Sequence, residues 1–279
     1  MPEPRAEGGE SRREPMRAKL AAASVMLAAR WTPYLEPELL GLADLVAPGS
    51  VCIDIGAAAG LYTVALSRLA GHTGQVHSVE PLSFSHPVWT RLLGAREAPN
   101  VRHHAVALAA EPGSAAMSVP VGRYGLVTGR SFVTQRSNGL GSNAEFGGQV
   151  TVTVSVDTLD SLCASTRLSR LDFIKIDVEG AELQVLEGGQ HAIESLRPDM
   201  LIEIEARHTA RYGYRPDDVT GWLAGRGYTM YSWRRGWREA SDVSADTRNY
   251  LFRPADRPSP ARDLTTAGGA AAAGPLPAG

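Results

Sequence analysis

Short apolar runs alternate with helix-like patterns over most of the middle of the chain. Residues 51–55, 75–80, 101–106, 171–177 and 200–205 have the pattern of strands, and residues 61–70, 87–94, 157–164 and 181–194 that of helices. Such alternation indicates βαβ units and a parallel sheet covered on both faces. With two more strands near residues 228–233 and 249–252, it predicts an α/β fold on a doubly wound, mostly parallel, seven-stranded sheet.

Residues 112–150 interrupt this rhythm, because they are rich in Gly, Ser and Asn and have only short apolar stretches. Residues 150–156 then alternate strictly, as an exposed edge strand does. We therefore predict an inserted hairpin or lid over about 112–150. The folded domain should cover residues 15–254, with N-terminal helices over about 15–46, whereas residues 1–14 and 255–279 have the composition of disordered segments.

The amino acid composition limits the classes of partner that this domain is expected to bind. The chain has 279 residues, 43% of them hydrophobic, and a formal net charge of −2, so it offers no general attraction to a polyanion. Cys52 and Cys163 match no metal spacing, and the apolar run over residues 20–29 is too short to span a bilayer. We expect a cytoplasmic protein without nucleic-acid or membrane partners, and leave a homodimer open.

A cofactor motif follows the first strand. Asp54 ends the apolar run, and Gly56 and Gly60 have a G-x-x-x-G spacing rather than the G-x-G-x-x-G that cradles a pyrophosphate. This favours a ligand with an amino acid tail and an adenosine. Asp54 would hold its ammonium group through water, and Glu80, which ends the second strand, would accept hydrogen bonds from the ribose hydroxyls. Glu80 alone leaves a nicotinamide-dependent oxidoreductase as an alternative.

Several strings over residues 50–205 together resemble the FkbM-type methyltransferases. They are residues 51–63, Ser-Val-Glu-Pro at 78–81, Asn-Val at 100–101 leading to 105–108, 156–162 and, most specifically, Ile-Lys-Ile-Asp-Val-Glu-Gly-Ala-Glu at 174–182. The resemblance implies a class I, Rossmann-like methyltransferase fold, S-adenosylmethionine as donor, and O-methylation of a natural-product or saccharide hydroxyl. Ala58 stands where members commonly carry Asn, which leaves a catalytically silent cofactor-binding protein as another alternative. Ala58 and Ala107 complete the expected cofactor set.

The candidate catalytic residues follow the fourth and fifth strands of the sheet. They are Asp177, Glu179, Glu203, Glu205 and His208. In an open parallel sheet the ligand lies beyond the carboxyl ends of the strands, and Glu203 and Glu205 should share a face. Asp177 is the first choice for general base or substrate anchor, and His208 is its rival.

Two further alternatives and one further acidic residue concern this site. We expect no metal, but the carboxylates could instead hold a divalent cation. Glu182 is interpreted as a carboxylate at a helix start. An RNA or protein acceptor is also an alternative, although the chain lacks the basic surface that RNA requires.

Overall fold

A computed structural model describes residues 36–82 and 98–260, apart from Tyr124 and Leu140. Its strands in chain order are β1 (Val51–Ile55), β2 (Gln75–Val79), β3 (Val101–His104), β4 (Ala107–Leu108), β5 (Gly113–Gly122), β6 (Gly125–Leu126), β7 (Phe132–Val133), β8 (Gln149–Asp157), β9 (Phe173–Ile176), β10 (Asp199–Glu203), β11 (Tyr228–Trp233), β12 (Trp237–Glu239) and β13 (Asn249–Pro254). The α-helices are α1 (Leu61–Ala70), α2 (Leu159–Ser165), α3 (Glu182–Glu187), α4 (Gln190–Leu196), α5 (Ala206–Thr209) and α6 (Pro216–Ala224). Segments of 3-10 helix, called 3-10 turns below, lie at Pro37–Asp44, Thr128–Arg130, Gly141–Glu145 and Ala210–Tyr212.

The central sheet has the order β12-β11-β13-β10-β9-β1-β2-β3. Strands β3, β2, β1, β9 and β10 are parallel, and β13 runs antiparallel between β10 and β11. The predicted α/β class is confirmed. The sheet has eight strands rather than seven, because the short β12 pairs with the edge strand β11.

Side-chain alternation along the central strands explains why both faces of the sheet are covered. Ile53, Ile174 and Ile202 belong to one buried cluster with residues of α3, α4 and α6. Cys52 and Phe173, one position earlier on their strands, belong to a second cluster with α1 and the 3-10 turn Pro37–Asp44. Because successive side chains point to opposite faces, continuous apolar strands require helical cover on both sides.

The inserted segment is larger than the hairpin that the sequence predicts. It forms a second sheet of order β4-β8-β5-β6, with β7 paired to β5. β8 pairs antiparallel with β5 from Val156 back to Gln149 and meets β4 only at its last two residues. Most of β8 therefore has one neighbouring strand, as its alternating sequence indicates.

Two predicted elements are each divided in the structure. The strand over 101–106 breaks after His104, and β3 and β4 then belong to different sheets. The helix over 181–194 breaks at Gly188 and Gly189, where a Cβ on Gly188 would lie 2.1 Å from the carbonyl oxygen of Ala109. The backbone of the second sheet thus packs directly against this break.

The ends of the predicted domain are partly outside the described residues. The N-terminal segment to residue 35, the helix expected over 87–94 and residues 261–279 lie there. Within the described part, residues 37–44 form a 3-10 turn rather than an α-helix. Arg257 donates to Asp199 at 3.0 Å, so the ordered chain continues past the expected boundary at residue 254.

Among the described residues, no helix has the length and apolar character needed to cross a membrane.

Candidate active site

A cavity lies beyond the carboxyl ends of β1, β2 and β9. Residues 54–59 and 79–81 line one side, residues 177–179 line another, and residues 131–133 of the second sheet close it from above. The inserted segment therefore contributes a wall of the cavity.

The loop between β1 and α1 is shaped by residues with positive φ. Gly56 has φ +78°, and a Cβ there would lie 1.7 Å from the carbonyl oxygen of Asp177. Gly60 has φ +87° at the N-terminal end of α1. Ala58 also adopts a positive φ, of +43°, and its amide donates to Oε2 of Glu80 at 2.9 Å. Close strand contact and the tight turn explain why glycine occupies positions 56 and 60.

Glu80 connects this loop to the end of β2. Its Oε1 accepts from the amide of Leu82 at 2.9 Å, while its Oε2 accepts from Ala58. Burial, opposed by these two hydrogen bonds, raises the pKa of Glu80 to about 7. The carboxyl group is thus fixed at the cavity wall and titrates near neutral pH.

Asp54 lies at the bottom of the same wall. Its Oδ2 accepts from the hydroxyl of Thr63 at 2.5 Å, and Thr63 also contacts Ser78 at 3.1 Å. Burial raises the pKa of Asp54 to about 6, although the Thr63 hydrogen bond lowers it. Ala107 lines the cavity from β4. The six predicted cofactor residues therefore lie in one region, five of them lining the cavity and Gly60 at the start of α1.

Lys175 and Asp177 lie at the end of β9. Lys175 is fully buried, yet its Nζ donates to Oδ1 of Asn249 at 2.8 Å, lies 3.6 Å from Oδ2 of Asp177 and stands 4.9 Å over the ring of Tyr62. Burial lowers the pKa of Lys175, but nearby carboxylates, Asp177 first, outweigh it, and the pKa is raised. This ammonium group is a fixed positive charge at the cavity.

Asp177 faces the cavity, with 28% of its side chain exposed. Burial and the charge of Glu203 raise the pKa of Asp177, Lys175 opposes them, and the pKa is about 7.

Glu179, His208 and Glu203 form a buried cluster next to Asp177. Nε2 of His208 lies 3.2 Å from Oε2 of Glu179, and its Nδ1 lies 3.7 Å from Oε2 of Glu203. Burial, followed by the charges of Asp177 and Glu203, raises the pKa of Glu179 to about 9. Burial also lowers the pKa of His208 to about 4. Only Glu179 of the three lines the cavity.

The comparison with protein families decides the class of this chain. The profile described as "Methyltransferase FkbM domain" matches residues 54–230, more than half of the chain. The chain belongs to the FkbM methyltransferase family. It is therefore an S-adenosylmethionine-dependent methyltransferase, and the residues just described lie within or beside the matched segment.

Several solved structures are similar to this FkbM protein at low identity. Methyltransferase FkbM from Methylobacillus flagellatus KT is 15% identical with a TM-score of 0.43; the match covers 85% of this chain but only 59% of that one. The O-methyltransferase TomG from Streptomyces achromogenes, in complex with SAM, is 15% identical with a TM-score of 0.44, over 83% and 87% of the two chains. An O-methyltransferase from Bacillus cereus is 13% identical with a TM-score of 0.43, over 84% and 89%. A search of curated proteins gave no match.

Two predicted acidic residues of the FkbM protein are placed apart from the cavity. β10 ends at Glu203, and Glu205 caps α5, where its carboxylate accepts from Nε of Arg207 at 2.6 Å and lies 3.4 Å from Nε of Arg248. The expectation that Glu205 shares a cavity face with Glu203 is corrected, because the strand stops before Glu205. Glu182 is buried at the start of α3, where it accepts from the amide of Gly180 at 2.9 Å.

Several residues that surround the site are not predicted from the sequence. Glu36 and Tyr62 line the cavity; Tyr62 donates to Glu36, which also accepts from Nδ2 of Asn249 at 3.0 Å. These contacts join positions far apart in the chain, and no sequence signal pointed to them. Lys175, in contrast, has a recognisable sequence signal, because a lysine between two isoleucines of a buried strand requires a partner.

Proposed function

We propose that this FkbM methyltransferase transfers a methyl group to a hydroxyl of a small molecule or saccharide, with Asp177 receiving the hydroxyl proton. The observation that carries the proposal is the position of Asp177: its partly exposed carboxylate lies at the cavity wall, between the β1–α1 loop and the second sheet. S-adenosylmethionine supplies an electrophilic methyl group when bound.

The cofactor side of the cavity suits a donor without phosphates. Asp54 and Glu80 present carboxyl groups, and the loop between them offers the small residues Ala57, Ala58 and Ala59. Carboxylates favour an ammonium group and ribose hydroxyls and disfavour a pyrophosphate. A ribose on Glu80 fits either cofactor, but the carboxyl group of Asp54, suited to an ammonium group, supports S-adenosylmethionine rather than a nicotinamide dinucleotide in the cavity.

The side of the cavity that we assign to the methyl acceptor is more apolar than the cofactor side. Met117, Phe132 and Val133 of the second sheet line it, with the hydroxyl of Ser131 among them. Ligand sites of this kind combine apolar walls with a few polar groups that orient the ligand. An apolar wall with one hydroxyl group supports a small acceptor, held with one of its own hydroxyls toward Asp177.

Asp177 is supported in its position by Lys175. The ammonium group lies 3.6 Å from the Asp177 carboxylate and is itself held by Asn249. Lys175 fixes where the carboxylate lies, and Asp177 then accepts the proton as the oxygen attacks the methyl group. Proximity and a positioned base together account for much of the rate in such displacements.

The test compares Asp177→Asn with Asp172→Asn, which removes a carboxylate at the opposite end of the same strand. Turnover is measured as transfer of labelled methyl groups to a panel of hydroxylated small molecules and saccharides. Asp177→Asn should retain binding of S-adenosylhomocysteine and lose roughly 10²-fold or more in turnover, whereas Asp172→Asn should retain turnover. Normal turnover in Asp177→Asn, with any acceptor that the protein methylates, would remove Asp177 from the reaction.

A further inference from the structure

We propose that Glu179, Glu203 and His208 bind a divalent transition-metal cation, such as Mn²⁺ or Zn²⁺, at the wall of the cavity. One carboxylate or imidazole atom from each of the three residues lies within 4.8 Å of the corresponding atoms of the other two. This inference departs from the expectation of no metal drawn from the sequence.

The spacing of the ligand atoms fits a cation after a small adjustment. Ligands at about 2.0–2.2 Å from a metal lie roughly 3 Å from their neighbours in the coordination shell. Nε2 of His208 and Oε2 of Glu179 are 3.2 Å apart and already have this spacing. Oε2 of Glu203 lies 3.7 Å from the other ring nitrogen, Nδ1, although one atom of each of the three residues lies within 4.8 Å of the other two. The Glu203 side chain must therefore move toward Nε2 for one ion to bind all three residues. An imidazole with two carboxylates suits Mn²⁺ and Zn²⁺ better than Mg²⁺, which prefers oxygen ligands and water.

Two of these atoms are buried without a hydrogen-bond partner. Oε2 of Glu179 and Nε2 of His208 face each other, but their geometry is not that of a hydrogen bond. The two residues are only 7% and 2% exposed. Buried polar atoms are normally satisfied, and a cation placed between these two atoms would satisfy both together.

The backbone holds Glu179 and His208 against each other. Glu179 adopts a positive φ of +55°, an uncommon conformation for a residue with a side chain. Its neighbour Gly180 packs so closely on α5 that a Cβ there would lie 2.4 Å from the carbonyl oxygen of His208. Nη1 of Arg211 donates to the carbonyl of Glu179 at 2.8 Å. Strain of this kind concentrates at functional sites and prepares ligand positions before binding.

Arg130 brings a positive charge close to the carboxylate of Glu179. Nε of Arg130 lies 3.7 Å from Oε2 of Glu179, beyond a hydrogen bond. Its positive charge opposes a bound metal ion. Arg130→Gln should therefore strengthen metal binding, which is the reverse of what a general loss of structure would do.

The role of the ion rests on the proposed function. Because Glu179 lines the cavity beside Asp177, an ion held there can contact the acceptor oxygen and lower its affinity for its proton. The hydroxyl proton passes to Asp177, the oxygen–carbon bond forms, the sulfur–carbon bond breaks, and S-adenosylhomocysteine leaves. The metal keeps its oxidation state throughout.

The experiment measures metal binding without methyl transfer. The full chain is stripped with a chelator, and Mn²⁺ is titrated while the free ion is followed by electron paramagnetic resonance; Zn²⁺ retained after desalting is measured by mass spectrometry. We expect one ion per chain, at least tenfold weaker binding in Glu203→Gln and His208→Gln, and tighter binding in Arg130→Gln. Glu205→Gln removes a carboxylate that the structure assigns to Arg207 and Arg248, and should bind within about twofold of wild type.

Two results would overturn the inference. One is no retention of Mn²⁺ or Zn²⁺ at millimolar concentration, and the other is wild-type binding in Glu203→Gln. If His208→Gln does not fold, as judged by its thermal melt, Glu203→Gln decides alone. Calorimetry with S-adenosylhomocysteine separates this from the proposed function: cofactor binding without metal binding contradicts the ion site, and metal binding without cofactor binding contradicts the methyltransferase assignment of the cavity.

Discussion

Replacing Glu80 tests the cofactor side of the cavity most sharply. Glu80→Ala removes a carboxylate whose two oxygens accept the amides of Ala58 and Leu82, each at 2.9 Å. Hydrogen bonds to a charged group contribute about 1.5–3 kcal/mol each, so the loop that follows β1 loses its hydrogen bond from Ala58 to Glu80 as well as its ribose acceptor. We expect affinity for S-adenosylhomocysteine to fall at least tenfold, about 1.4 kcal/mol or more.

The change of cofactor affinity with pH gives a second, independent test of Glu80. Ribose hydroxyls donate to the ionised carboxylate, and the pKa of Glu80 in the free protein is raised to about 7. The ionised fraction rises from about one tenth at pH 6 to about nine tenths at pH 8. Wild-type affinity should therefore increase at least about tenfold between these pH values. Glu80→Gln, which cannot ionise at position 80, should keep only the roughly twofold rise that Asp54 contributes, because the pKa of Asp54 is about 6.

Isothermal titration calorimetry from pH 6 to pH 8 measures both effects. Glu111→Gln is the control, since Glu111 is an exposed carboxylate outside the cavity. It should bind as wild type at every pH. Wild-type affinity in Glu80→Ala, or an unchanged pH dependence in Glu80→Gln, would refute the assignment of Glu80 to the ribose.

Two further predictions concern stability and are measured by urea unfolding in the presence of chelator. Lys175→Met should lower the free energy of unfolding by about 3 kcal/mol or more, because Asp177 and Asn249 lose a buried partner. An unchanged urea midpoint would mean that the charge of Lys175 is not needed to balance the neighbouring carboxylates. Burial raises the pKa of Glu182 to about 8, so the wild type should lose stability as pH rises from the unfolded pKa, about 4.3, through 8. Glu182→Gln should lose less stability than the wild type between pH 6 and pH 9, and equal losses would contradict the buried neutral carboxyl group.

Sequence reasoning could place Asp54, Gly56 and Glu80 at the cavity because each lies at or next to the end of a strand. Asp54 and Glu80 end apolar runs, and parallel strands bring their carboxyl ends to one edge of a sheet. Gly56 was recognisable because the turn needs a positive φ. These inferences require only the order of the elements and the period of the strands.

The contacts across the site could not be predicted in the same way. Asn249 reaches Lys175 because β13 inserts between β10 and β11, and both residues approach Glu36 in the 3-10 region. Glu205 was wrongly expected on the same strand face as Glu203, because the alternation of side chains along a strand does not show at which residue the strand ends. The pairing of Glu179 with His208 depends on the close packing of Gly180 on α5, which only three-dimensional structure reveals.

The most direct measurement of the central claim is a crystal structure of the protein with S-adenosylhomocysteine and a methyl acceptor. The account predicts ribose hydroxyls within hydrogen-bond distance of the Glu80 carboxylate, and the acceptor oxygen between the thioether sulfur and Asp177. An adenosine bound away from the loop after β1, or an acceptor oxygen remote from Asp177, would contradict it.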